Sequence, residues 1–136
     1  MGRVLAIDYG TKRTGLAVTD PMRIIATPLD TVPTHTLLVY LNSYMAREAV
    51  DEFVVGLPKT LRNEDSDMTK QVRSFVGVLQ QAFPEKKINL VDERFTSRLA
   101  MQAMIEGGMK KKDRREKSNV DKISATIILQ SYLNAP

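Results

Sequence analysis

Asp8 closes an apolar run, Val4-Leu5-Ala6-Ile7, and the turn Tyr9-Gly10-Thr11-Lys12-Arg13 separates it from a second run around Leu16-Ala17-Val18. An ionised carboxylate in an apolar interior is costly, so an acid at the end of such a run faces an opening, a cation or a set of donors. Asp before glycine is also an ordinary turn former, its side chain accepting from the amides of Gly10 or Thr11. Asp92 and Glu93 end a second apolar run, Ile88-Asn89-Leu90-Val91. Successive strand residues point to opposite faces, so one of the two turns inward, and residue type does not say which. Asp121 follows Ser118 at the spacing of a capping box, where an acid would offset the helix dipole by roughly 0.3–1 kcal/mol. Three carboxylates converging in one cleft would repel unless a divalent cation neutralised them, and an all-oxygen donor set suits Mg²⁺ or Mn²⁺. Two such ions about 3.5–4 Å apart can stabilise both the attacking and the leaving oxygens of phosphodiester cleavage.

The basic residues are unevenly spread. Twenty Lys and Arg against sixteen Asp and Glu give a net charge of +4, and the segment Lys110-Lys111-Lys112-Asp113-Arg114-Arg115-Glu116-Lys117 carries an excess as large as that of the whole chain. A concentrated positive patch suits a phosphate backbone, while a solvated loop is its bland alternative. Lys12 and Arg13 in the first turn, and Arg94 beside Glu93, are further candidate contacts to nucleic acid.

These residues need a scaffold. A chain of 136 residues, 43% hydrophobic and 26% charged, is expected to form one domain over 1–136 with a real core. Cysteine is absent, which excludes a disulfide framework and thiolate metal sites and fits a reducing compartment. The start of the chain lacks the pattern of a signal peptide, and no apolar run approaches the length of about 20 residues that spans a bilayer, so the expected location is the cytoplasm. No internal repeat is evident.

Residues 4–18 read as a β-hairpin. Ile24 to Val32 reads as a third strand, placed at an edge or broken there because Pro28 cannot donate to a ladder. Thr34 is the candidate N-cap of a helix carrying Leu37, Leu38, Leu41, Tyr44 and Met45 and ending near Glu48 or Ala49. Glu52 to Pro58 follows that helix as a buried parallel strand. A polar loop, Lys59 to Asp67, leads into a helix over about Met68 to Phe83 whose apolar face is Val72, Phe75, Val76 and Leu79. Ile88 to Glu93 is a fifth strand. Thr96 or Ser97 caps a helix over about Arg98 to Glu106, stopped by Gly107-Gly108. Ser118 or Asn119 caps a last helix packed through Val120, Ile123, Ile127 and Leu133, with Ile128, Leu129 and Tyr132 widening the face and Asp121 in the first turn. The expected fold is α/β: a mixed sheet of three antiparallel and two parallel strands flanked by helices, with Asp8 and Glu93 emerging at the same end if strands one, four and five run parallel.

Ala6-Ile7-Asp8-Tyr9-Gly10-Thr11-Lys12-Arg13-Thr14-Gly15-Leu16-Ala17, Val55-Gly56-Leu57-Pro58, Asp92-Glu93-Arg94-Phe95-Thr96-Ser97 and Val120-Asp121 together resemble the YqgF family, also called RuvX-like, over nearly the whole chain. The resemblance implies a ribonuclease H-like fold and an endonuclease that matures the 5′ end of the 16S ribosomal RNA precursor; a Holliday junction resolvase is the family's other proposed activity. It also implies an acidic triad at Asp8, Glu93 and Asp121, which selects Glu93 over Asp92 by analogy. Two segments depart from the family pattern. Lys59-Thr60-Leu61-Arg62-Asn63-Glu64-Asp65 stands where many relatives carry a neutral, Gly-rich loop, and Ile123-Ser124-Ala125 stands where paired alanines are frequent.

The leading expectation is a metal-dependent endonuclease on structured RNA, with Asp8, Glu93 and Asp121 as metal ligands and Lys12, Arg13, Arg94, Lys110, Lys111, Lys112, Arg114, Arg115 and Lys117 on the backbone. Ribosomal particles are a further candidate partner. A resolvase of four-way DNA would need a symmetric dimer, which no sequence feature specifies, so both monomer and homodimer stay open. The first hairpin also resembles the phosphate-binding hairpin of the actin, Hsp70 and sugar-kinase superfamily, but that cleft takes two such domains. A Walker loop is excluded because Leu16 stands where Lys is needed. A non-catalytic RNA-binding domain would use only the basic loop. His35 has no assigned catalytic role.

Overall fold

The computed structural model describes residues 2–60, 62, 64–93 and 117–134. Among them run β1 (Arg3–Asp8), β2 (Arg13–Thr19), β3 (Ala26–Pro33), α1 (Leu37–Arg47) after a 3-10 turn at Thr34–Thr36, β4 (Val50–Leu57), α2 (Asp67–Ala82), β5 (Lys87–Asp92) and α3 (Lys117–Asn134). The helix expected over Arg98 to Glu106 lies outside the described residues. So do Arg94, Lys110, Lys111, Lys112, Arg114 and Arg115.

The strands form one sheet in the order β3-β2-β1-β4-β5. β1 pairs antiparallel with β2 and parallel with β4, β2 pairs antiparallel with β3, and β4 pairs parallel with β5. This is the expected mixed sheet, and its three parallel strands deliver their carboxyl ends to one side. Proline does what its missing donor requires: β3 is an edge strand, and its register with β2 shifts beside Pro28, where Leu16 pairs with Asp30 and Ala17 with Pro28. The strand starts at Ala26 rather than Ile24. The amides of Ile24 and Ile25 donate to the Asp20 carboxylate, 2.8 and 2.7 Å away, so neither enters the ladder.

Alternation along the strands separates two cores. Leu5, Ile7, Phe53 and Val55 face α1 and α2, where they pack with Leu37, Leu41, Tyr44, Val72, Phe75 and Leu79. Val4, Ala6, Ala17 and Val54 face α3, packing with Ala125, Ile128 and Leu129. The helix α2 begins in a capping box, Ser66 accepting from the Thr69 amide at 3.2 Å while the Ser66 amide donates to Thr69 at 2.8 Å.

Three local expectations are corrected. Thr34 is not a helix cap: its hydroxyl donates to the Gly10 carbonyl at 2.6 Å and lies 2.9 Å from the Thr14 hydroxyl, tying the 3-10 turn to the first hairpin. Ser118 and Asn119 fall inside α3, which starts at Lys117, so Asp121 is the fifth residue of the helix and lies beyond its first turn. The buried face of α3 is Ser124, Ala125, Ile128 and Leu129, whereas Val120, Ile123, Ile127 and Leu133 are only partly buried. The stripe 121, 124, 125, 128 and 132 follows the helical repeat and places Asp121 at one end of the inward face.

Candidate active site

Asp8 continues the Val4, Ala6 alternation of β1 and therefore belongs to the face covered by α3. Its partner across the β1–β2 ladder is Gly15. A Cβ on Gly15 would strike the main-chain carbonyl of Asp121, so the absence of a side chain there is what lets α3 lie down on the sheet beside Asp8. On the other side of β1, Gly56 does the same for a side chain. A Cβ on Gly56 would meet the Glu93 carboxylate and Ile128 Cδ1, so Glu93, one residue past β5, reaches over β4 toward Asp8. The Glu93 amide donates to the Leu57 carbonyl at 3.2 Å, which extends the β4–β5 pairing by one residue. Asp92 is exposed, and Glu93 is the inward member of the pair.

The carboxyl groups of Asp8 and Glu93 lie close enough to interact directly. Burial, then repulsion from Asp121, pushes Asp8 up to about 7 against the restraining interaction with the Glu93 carboxyl. Burial pushes Glu93 up to about 8, helped by the charge of Asp8, the direct interaction with its carboxyl and the charge of Asp92. Two half-buried carboxyls this close cannot both ionise cheaply, so each raises the pH at which the other loses its proton. Asp121 forms an ion pair with Arg13, Oδ2 to Nε at 3.2 Å.

Asp8, Asp121 and Arg13 line a cleft of about 510 Å³ whose other walls are Tyr9, Gly10, Thr11, Lys12 and Met68. Tyr9 stacks on Phe75 with ring centroids 4.6 Å apart, which fixes the hairpin turn against α2. Lys12 and Arg13 are thus brought to the acids, Arg13 as a counter-ion of one of them. Lys117 opens α3. His35 lies in a different cavity, of about 430 Å³, between the 3-10 turn, α1 and α2. Among the described residues no three His, Asp or Glu side chains form a ready metal-ligand group. The donor set Asp8, Glu93 and Asp121 nonetheless fits a hard divalent cation, because it is all carboxylate. Gly15 and Gly56 carry no chemistry of their own yet make room for the acids, and an isolated glycine within a strand pattern is their signal in the sequence.

A mixed sheet in this order, helices on both faces and acids at the carboxyl ends of parallel strands define a ribonuclease H-like α/β domain. The chain belongs to the RuvX family, described as Holliday junction resolvase, which it matches over residues 2–135. Membership makes it a phosphodiester-cleaving hydrolase. A relative from Porphyromonas gingivalis is 57% identical over 136 residues, covering 100% of this chain and 99% of its own. One from Bacteroides thetaiotaomicron is 53% identical over 135 residues, covering 99% and 98%. Both carry the name of a candidate pre-16S rRNA nuclease. The structure of Thermus thermophilus RuvC in complex with a Holliday junction substrate superimposes with a TM-score of 0.57 over 98% of this chain and 97% of that one, at 16% identity, a likeness of fold.

Proposed function

We propose that the chain is a metal-dependent endonuclease that processes the 5′ end of the 16S ribosomal RNA precursor, with Asp8, Glu93 and Asp121 as its catalytic acids. The observation that carries this reading is the convergence of three carboxylate residues at one end of the sheet: Glu93 reaches over Gly56 toward Asp8, and Asp121 lies over Gly15, the ladder partner of Asp8. A fold that needed only a scaffold would not bury two carboxyls against each other at a strand end, because the arrangement costs stability unless a cation or proton is supplied. Mg²⁺ or Mn²⁺ held by these three residues would supply Lewis-acid stabilisation of the oxygens exchanged at phosphorus. Asp8 and Glu93 would hold the ion as carboxylates, so its binding would favour their ionised forms. Lys12 on the cleft wall neutralises the RNA backbone, and the basic segment 110–117 with Arg94 extends that contact. Such a substrate implies the cytoplasm, and the names of the relatives support it.

The test is cleavage of a precursor 16S fragment by the purified protein in Mg²⁺ or Mn²⁺. Asp8→Asn should abolish it while the protein stays folded. The family description and the RuvC-like fold favour a second reading, resolution of four-way DNA. It predicts cleavage of a junction in preference to the RNA, and a dimer by mass in solution. The non-catalytic RNA-binding alternative predicts that Asp8→Asn changes nothing.

A further inference from the structure

Arg13 is the first residue of β2 and lines the acid cleft, yet its guanidinium is turned to Asp121, 3.2 Å away, with the side chains 41% and 23% exposed. Arg13 cannot give the same Nε–H to a phosphate while Asp121 holds it. An ion pair this open to water is weak, so anything that neutralises Asp121 releases it. Released, Arg13 stays on the wall of the cleft beside Lys12 and presents a planar fork suited to a phosphate.

We propose that Arg13 is a two-position residue: held by Asp121 while the acid cluster lacks a cation, it becomes a ligand of the nucleic-acid backbone once that carboxylate is neutralised. The proposal rests on the nuclease reading given above. It makes cation loading and backbone binding mutually reinforcing, because each removes the partner with which the other competes.

The proposal is tested in EDTA, where no cleavage occurs, by titrating a fluorescein-labelled RNA hairpin with four proteins: the native chain, Arg13→Gln, Asp121→Asn and the double variant. The charge lost at position 121 affects both members of each comparison and cancels. Arg13→Gln should leave the slope of log K against log salt unchanged in the native background and lower its magnitude by about 1, one phosphate contact, in the Asp121→Asn background. Equal changes in the two backgrounds, or none in either, overturn the proposal while leaving the nuclease reading standing. No binding by any of the four also overturns the proposal, whereas the nuclease reading falls only if the native chain fails to cleave in Mg²⁺ or Mn²⁺. Should Asp121→Asn not fold, calorimetric titration of Mg²⁺ alone decides: Arg13→Gln should bind it more tightly than the native chain, and equal or weaker binding refutes the competition.

Discussion

At the scale of single residues, the Asp8–Glu93 pair gives the protein a pH signature. Both acids hold their protons in the folded chain to higher pH than the ordinary carboxylate range of about 4. The folded state therefore binds more protons than the unfolded one between about pH 4 and about 8, and stability falls as pH rises through that window. Melting temperature in EDTA should decline from pH 5 to pH 8, and Asp8→Asn should flatten the decline and raise the value at pH 8. Mg²⁺ should raise the pH 8 melting temperature of the native chain more than that of Asp8→Asn. A melting temperature that climbs across this range in EDTA would contradict the burial of the pair. Gly56→Ala makes a second residue-scale test, since its Cβ would displace the Glu93 carboxylate. The overpacking should cost about 1–3 kcal/mol in urea titrations and lower cleavage beyond what the lost stability explains.

At the scale of elements, α3 is where residue patterns and structure diverge. The residue pattern puts Val120, Ile123, Ile127 and Leu133 at the centre of the packed face and Ile128 and Leu129 at its margin, whereas the helix buries Ser124, Ala125, Ile128 and Leu129. The reason is the close approach over Gly15 and Gly56, which small residues permit and which a count of bulky residues does not reveal. Ile128→Ala should cost about 2–5 kcal/mol, as a fully buried site does, and Ile127→Ala clearly less. Equal losses by urea denaturation would put the wrong face against the sheet. Other elements were plain in the residues. Val and Ile runs around Asp8 and Gly10 gave the hairpin, Pro28 the edge strand, and the helix before Glu52 the parallel crossover. The choice between Asp92 and Glu93 depended on which face α3 covers, a tertiary fact that alternation alone leaves open. Thr34 had the type of a cap but was taken by Gly10 and Thr14, a contact set by how the hairpin meets the 3-10 turn.

At the scale of the whole molecule, parallel β1, β4 and β5 bring Asp8 and Glu93 to one end, two strand glycines make room for Asp121 and Glu93, and the hairpin turn adds Lys12 and Arg13 to the rim. Among the described residues no helix is long and apolar enough to cross a membrane. The central claim is that this cleft cleaves phosphodiesters through its acids. It is tested most directly by incubating the native chain and Asp8→Asn, side by side in Mg²⁺ or Mn²⁺, with a precursor 16S fragment and a four-way DNA junction. The native chain should cut the RNA in preference to the junction, and Asp8→Asn, folded and at least as heat-resistant, should cut neither. Native-level cleavage by Asp8→Asn would contradict the account.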